Sequence, residues 1–419
     1  TANINLMGGT MCVIDNSTID GDISHLADSV IYIAPDTILT YEGENKLEIN
    51  NLELALQGGG YFSSLDSNSI SMNQDGGILK LADNATSVSH LHIDQNVSTA
   101  ILETSQNQIS VCSGDQVTYD SSTINVGNLN HVGSSKLQLA DNTLLNFTNS
   151  ISVPQQKSMT VTGEDGELVF GNTLTFENDS QLILNSSDSK ISGSFDFKES
   201  NLVDAQENVK IKSSMGRWNN SQIKVATGKK LELIDNQWHT KGTLTKTGGS
   251  MNLENMVWTL TDDTTYTSDT EIEIKTLLLN DHILALGSAD SDITVADNMT
   301  FDNSSERFNS GLADITLENS ISLEDGAITS TGGIVYLEKG GIQSGGELDV
   351  TASTLKLGDD YSKSGGTLTS TENGTTLELT DNLTLTSNTI LALLGLILND
   401  NTLILGSETS GLTVGGPIT

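Results

Sequence analysis

LTDDTTYTSDTEIEIKTLLLNDHILALGSADSDITV, residues 260–295, returns 119 residues later as LTDNLTLTSNTILALLGLILNDNTLILGSETSGLTV, residues 379–414. No gap is needed, and 18 of the 36 positions are identical. Self-similarity at a fixed offset is the mark of a repeat architecture, in which each unit buries its apolar face against the next. The repeat decides the shape of the fold; it names no chemistry.

A shorter unit lies inside the long one, with the form Leu-x-Leu-x-[Asp/Asn]-[Asp/Asn]. It occurs at 79–84, 137–142, 231–236, 355–360, 377–382 and 396–401, with variants starting at Trp258, Leu277 and Ile293. The steps from Leu355 to Leu377 and on to Leu396 are 22 and 19 residues, and the 119-residue offset is close to six such steps. Alternate leucines face one side of a strand. The Asp/Asn pair that follows tolerates left-handed backbone and stops the strand in a turn. Gly-Gly pairs such as Gly248-Gly249 and Gly365-Gly366 punctuate the chain in the same way.

Short Thr/Val/Ile-rich strands, turns and a coil of about 20 residues predict an all-β fold, a parallel β-solenoid (β-helix) of about 20 coils. At roughly 4.8 Å per coil the array would extend roughly 100 Å. Tandem antiparallel β-sandwich modules would also accommodate the long repeat and stand as the alternative. Residues 1–46, with Pro35, Tyr32 and Tyr41 and a weaker repeat, read as an N-terminal cap or junction, and residues 47–419 as the array. The chain starts at Thr1 without a signal peptide, which suggests a processed protein or a fragment. The repeat runs almost to Thr419 without a polar cap, so either more protein follows or another copy docks there.

Composition narrows the function. Lys and Arg number 19 against 55 Asp and Glu, a net charge of −36. That disfavours nucleic acid as a partner, because phosphate binding needs basic patches. It also makes chains repel, so side-by-side packing would need screening ions, divalent ones among them. No stretch approaches the roughly 20 apolar residues that span a membrane. Signatures for phosphate cradles, dinucleotide loops, serine nucleophile elbows, zinc proteases and Cys-x-x-Cys sites are missing from the sequence. The reading is therefore not an enzyme.

Several residues are candidates for binding. In the first copy Thr270-Glu271-Ile272-Glu273-Ile274-Lys275 alternates charge and hydrophobe; in the second, the outward positions become Ile390, Ala392 and Leu394. Ile397 and Ile404 likewise replace Leu278 and Ala285. The final coils are thus expected to be apolar on both faces, either beneath a covering segment or as a self-assembly surface. Trp218, Trp238 and Trp258 are spaced 20 and 20 apart, one per coil. They read as a stacked ladder, in the core or on the surface, or as a sugar-stacking strip. His90 and His92 share a strand face and could hold a metal only with a third ligand. Asp262-Asp263, Asp290-x-Asp292 and Asp359-Asp360 could bind Ca²⁺ weakly, and turn chemistry explains them equally. Cys12 and Cys112 would lie about five coils, roughly 24 Å, apart, too far to pair within one chain. They read as small apolar core groups or, less simply, as an intermolecular bridge.

With its Leu-x-Leu-x-Asp-Asn units and Thr/Ser/Asn-rich strands, the chain resembles the β-solenoid stalks of large bacterial surface proteins: adhesins, autotransporter passengers and fibre-forming exoproteins. The resemblance is one of class and implies secretion to the cell surface, rigidity and adhesive or structural work. The expected function is a secreted rod that assembles head to tail into a filament or forms a stalk, with other copies or flanking parts of a larger surface protein as partners. A polysaccharide-binding β-helix is the alternative, and a polysaccharide lyase or hydrolase a more distant one.

Overall fold

The computed structural model describes residues 3–25, 29–34, 37–42 and 150–419, apart from 165, 235–236, 254 and 359 and the side chains of 164 and 214–215. Between 43 and 149 it describes the strands, with side chains only at Leu47, Leu54 and Phe147. No described residue is helical. The fold is a parallel β-solenoid with about 21 residues per turn, as the spacing predicts, and about 14 turns rather than about 20. Strand pairing is parallel at every described rung, for example Ile272↔Ile293 and Ile31↔Leu54. This overturns the sandwich alternative, whose sheets are antiparallel. Contacts divide the chain into two units, Thr1–Lys212 and Ser213–Thr419.

In the second unit each turn from Ile272 onward carries three short strands. The first face is a seven-stranded sheet from Ile272–Ile274 to Gly395–Ile397. Its inward column runs Ile272, Ile293, Ile315, Val335, Leu355, Leu377 and Leu396, each in register with the next. All seven are at most 3% exposed. The second face includes Met299–Phe301, Ile321–Leu323, Gly341–Gln343 and Ser362–Lys363. The third carries the column Leu284, Phe308, Ile328, Leu348 and Leu368. Each buried aliphatic or aromatic side chain in these columns contributes about 1.5–3 kcal/mol relative to exposure. That burial sets the register, because a one-residue slip would turn a whole column to solvent.

The turns follow the Asp/Asn reading. Asn280 and Asp281 have φ of 57° and 69°, and Asn399 and Asp400, their counterparts, 50° and 64°. Asn399 Nδ2 donates to the Leu379 carbonyl at 3.0 Å, tying the turn to the coil before it.

A second turn type was not visible in advance. Lys246-Thr247-Gly248-Gly249 and Lys363-Ser364-Gly365-Gly366 both point their lysine inward, at 0% and 2% exposure. Lys246 Nζ donates to the Gly248 carbonyl (2.8 Å), the Gly249 carbonyl, Thr270 Oγ1 (2.7 Å) and Asp269 Oδ1 (2.9 Å). Lys363 Nζ donates to the Gly366 carbonyl and Ser387 Oγ, both at 2.9 Å. A buried ammonium is tolerable only with such partners. Gly248 (φ 84°) and Gly366 (φ 66°) supply the left-handed backbone that turns carbonyls toward it.

In the first unit, Gly9–Val13, Ser29–Ile33 and Leu52–Leu56 pair in sequence, as do Ser17–Ile19, Ile38–Tyr41 and Tyr61–Ser64. Parallel pairing of described strands therefore continues from one side of the 46/47 boundary to the other. Further along, phenylalanines stack between coils. Phe147 lies on Phe170 (5.5 Å, 12°) and Phe176 on Phe197 (4.8 Å, 12°), each pair in register.

Candidate functional site

The second repeat copy places its outward hydrophobes in solvent. The strand Ile390–Leu393 alternates as the sequence indicates: Leu391 and Leu393 are buried, Ile390 is 71% exposed, and Leu394, just beyond, is 43% exposed. Ile404 is 50% exposed between Leu403 and Leu405, and Ile397 is half-buried. Leu412 and Ile418, in the same final stretch, are also exposed. Among the described residues no segment covers Ile390, Leu394 or Ile404. Earlier coils of the unit carry acidic surface instead. Asp292 is pushed up from the usual carboxylate range by burial, helped by Asp314, Glu271 and Asp290. Glu318 is raised by burial and by Glu273 and Glu338.

The tryptophans do not form a sugar strip. Trp218, Trp238 and Trp258 are 3%, 0% and 0% exposed, so no indole face is open to a ligand. They form an inward cluster: Trp218–Trp238 at 5.6 Å, Trp238–Trp258 at 5.7 Å and edge to face, Trp258–Tyr266 at 5.4 Å. The ladder is uneven. Trp238 is in register with Trp258, but its partner in the preceding coil is Gly216, while Trp218 pairs with Thr240. Gly216 makes the room: a Cβ there would sit 2.6 Å from Trp218 Nε1. Equal spacing along the chain missed the two-residue offset because the turns differ in length. Trp258 Nε1–H donates to Thr240 Oγ1 at 2.7 Å.

Of the metal candidates, Asp262 and Asp263 come together with His282, a residue the sequence did not single out. His282 follows the left-handed Asn280-Asp281 turn and so arrives one coil later on the same corner. Among the described residues Asp290 and Asp292 join no comparable group of three. Asp359 lies outside the described residues, as do Cys112 and the side chains of His90 and His92. Cys12 is unbridged and exposed, which corrects the reading of it as a core group. Its alternating partner Val13 takes the inward place instead.

Comparison with protein-family models, curated proteins and solved structures gave no match.

Proposed function

We propose that the chain is a secreted structural rod of the cell surface that self-associates through the outward apolar residues of its final turns. The observation that supports this most is the contrast within the repeat. Glu271, Glu273 and Lys275 of the first copy are exposed charges; the matching Ile390 and Leu394 are exposed hydrophobes on the same backbone, with Ala392 between them. Exposed apolar groups cost solubility and persist where a partner covers them. A second copy of the chain is the occupant this reading assigns, giving a filament or a stalk bundle. The high negative charge limits contact to the apolar zone and makes association stronger as salt rises.

Leu394→Glu together with Ile390→Glu tests the reading. Light scattering during size exclusion, and negative-stain microscopy across protein concentration, should show assembly by the parent chain and monomers for the variant. The reciprocal change, Glu271→Ile with Lys275→Leu, should add association to the first copy. Equal assembly by parent and Glu variant would sink the proposal. The buried tryptophans remove the strip on which the polysaccharide-binding reading relied.

A further inference from the structure

The first repeat copy gathers three metal-binding side chains at one surface corner. Asp262 and Asp263 sit within the long strand Val257–Thr267, and His282 immediately precedes the strand Ile283–Leu286 of the next coil. One ligand atom from each of the three lies within 4.8 Å of the other two. His282 Nδ1 stands 3.9 Å from Asp263 Oδ1, beyond hydrogen-bond reach. A zinc-like ion bonds imidazole nitrogen at about 2.0–2.1 Å and carboxylate oxygen at about 2.0–2.2 Å. An ion between the two atoms therefore spans their gap with little movement of either side chain. The imidazole is 29% exposed and so partly held by its surroundings.

The second copy shows that the turn itself does not need these groups. Its corresponding residues are Asp381, Asn382 and Asn401. Asn382 Oδ1 accepts the Thr402 N–H at 2.9 Å, as Asp263 Oδ1 accepts the Ile283 N–H at 2.9 Å. An amide thus serves the fold as well as a carboxylate, and Asn401 stands where the imidazole does. The second oxygen of Asp263 and the imidazole are surplus to the turn, and both groups are of a type that ligates metal ions.

The geometry points to a divalent transition-metal site in the first copy, with Asp262, Asp263 and His282 as protein ligands and water completing the shell. The imidazole selects borderline ions such as Zn²⁺ and Co²⁺ over Ca²⁺, which takes oxygen ligands. The second copy lacks the imidazole and one carboxylate, so among the described residues this is one site, confined to the first copy.

The test is calorimetric titration of the full chain with ZnCl₂ at about 0.15 M salt, where diffuse attraction to the acidic surface is screened. Asp263→Asn/His282→Asn, which installs the second copy's residues, is titrated beside it. The expected result is one binding event in the parent that weakens in the variant by more than the roughly tenfold lost when an outer-shell partner is removed. A Co²⁺ visible band that depends on His282 is the accompanying signature, and excess CaCl₂ should not displace the ion. Circular dichroism establishes that the variant folds; His282→Asn alone serves if the double change does not. Matching isotherms for parent and variant, or displacement by equimolar Ca²⁺, would overturn the assignment.

Discussion

The two copies of the long repeat are alike inside and unlike outside. Leu260, Ile272, Ile274 and Leu277 of the first are matched by Leu379, Leu391, Leu393 and Leu396 of the second, and all eight are at most 3% exposed. On the outer side, Glu271, Lys275 and His282 become Ile390, Leu394 and Asn401. Six of the 18 identities, at Leu260, Leu277, Leu279, Leu284, Leu286 and Val295, are apolar residues buried in the first copy. The outward residues change without disturbing them, because alternate positions on a strand face different media. The same backbone can then present ligands for an ion in one place and an adhesive surface in another.

Shared interiors should respond alike. Leu277→Ala and Leu396→Ala each leave a cavity in a filled column and should cost about 2–5 kcal/mol. Urea unfolding followed by circular dichroism would measure both. A much smaller loss at Leu396 would mean that the second copy is the looser of the two, and the likeness would break.

The shared turns come next in size. Asn280→Ala and Asn399→Ala force a Cβ-bearing residue without a local acceptor into the left-handed region, at about 1 kcal/mol each. Asn→Gly at either place should be near neutral, since glycine adopts that backbone without strain. Thermal unfolding of the four variants would show whether the two turns are equivalent.

The smallest effect concerns charges that the second copy lacks. Asp292 is matched there by Gly411. Because burial and neighbouring carboxylates raise Asp292 and Glu318, the folded chain holds their protons more tightly than the unfolded chain. Stability should thus rise as pH falls from neutral through the raised values, and be lost again as pH climbs. A small gain in Tm is expected on mild acidification, with the sign set by the raised carboxyls. Asp292→Asn should flatten the profile.

Much of the fold was legible because its rule is local. Leu377-x-Leu379 states which residues face in, and Asn399-Asp400 states where the strand stops. The outward hydrophobes at Ile390, Leu394 and Ile404 could be read from the same alternation. What could not be read depends on how coils of unequal length fall into register. The offset of Trp218 from Trp238 is such a case, and so is the phenylalanine stacking of Phe147 on Phe170. His282 was missed for a related reason: it is 19 residues from Asp263 and adjacent to it only after one full turn. The buried lysines were hidden by type, since lysine in a turn ordinarily marks solvent.

Those lysines have a consequence for how the chain finds its structure. A solenoid of near-identical units is exposed to an error that irregular folds avoid: a strand can dock one turn too early and satisfy the same leucine column. Lys246 and Lys363 make that error expensive. Each ammonium completes its set of acceptors only where its own Gly-Gly turn meets the Thr270 or Ser387 hydroxyl 24 residues on. Threaded one turn out, it would keep the carbonyls of its own turn but lose the hydroxyl from the next coil, and Lys246 the Asp269 carboxylate with it, leaving a buried ammonium with fewer acceptors. The two residues act as keys cut for a single lock, and they give a repetitive polymer a means of counting its own coils.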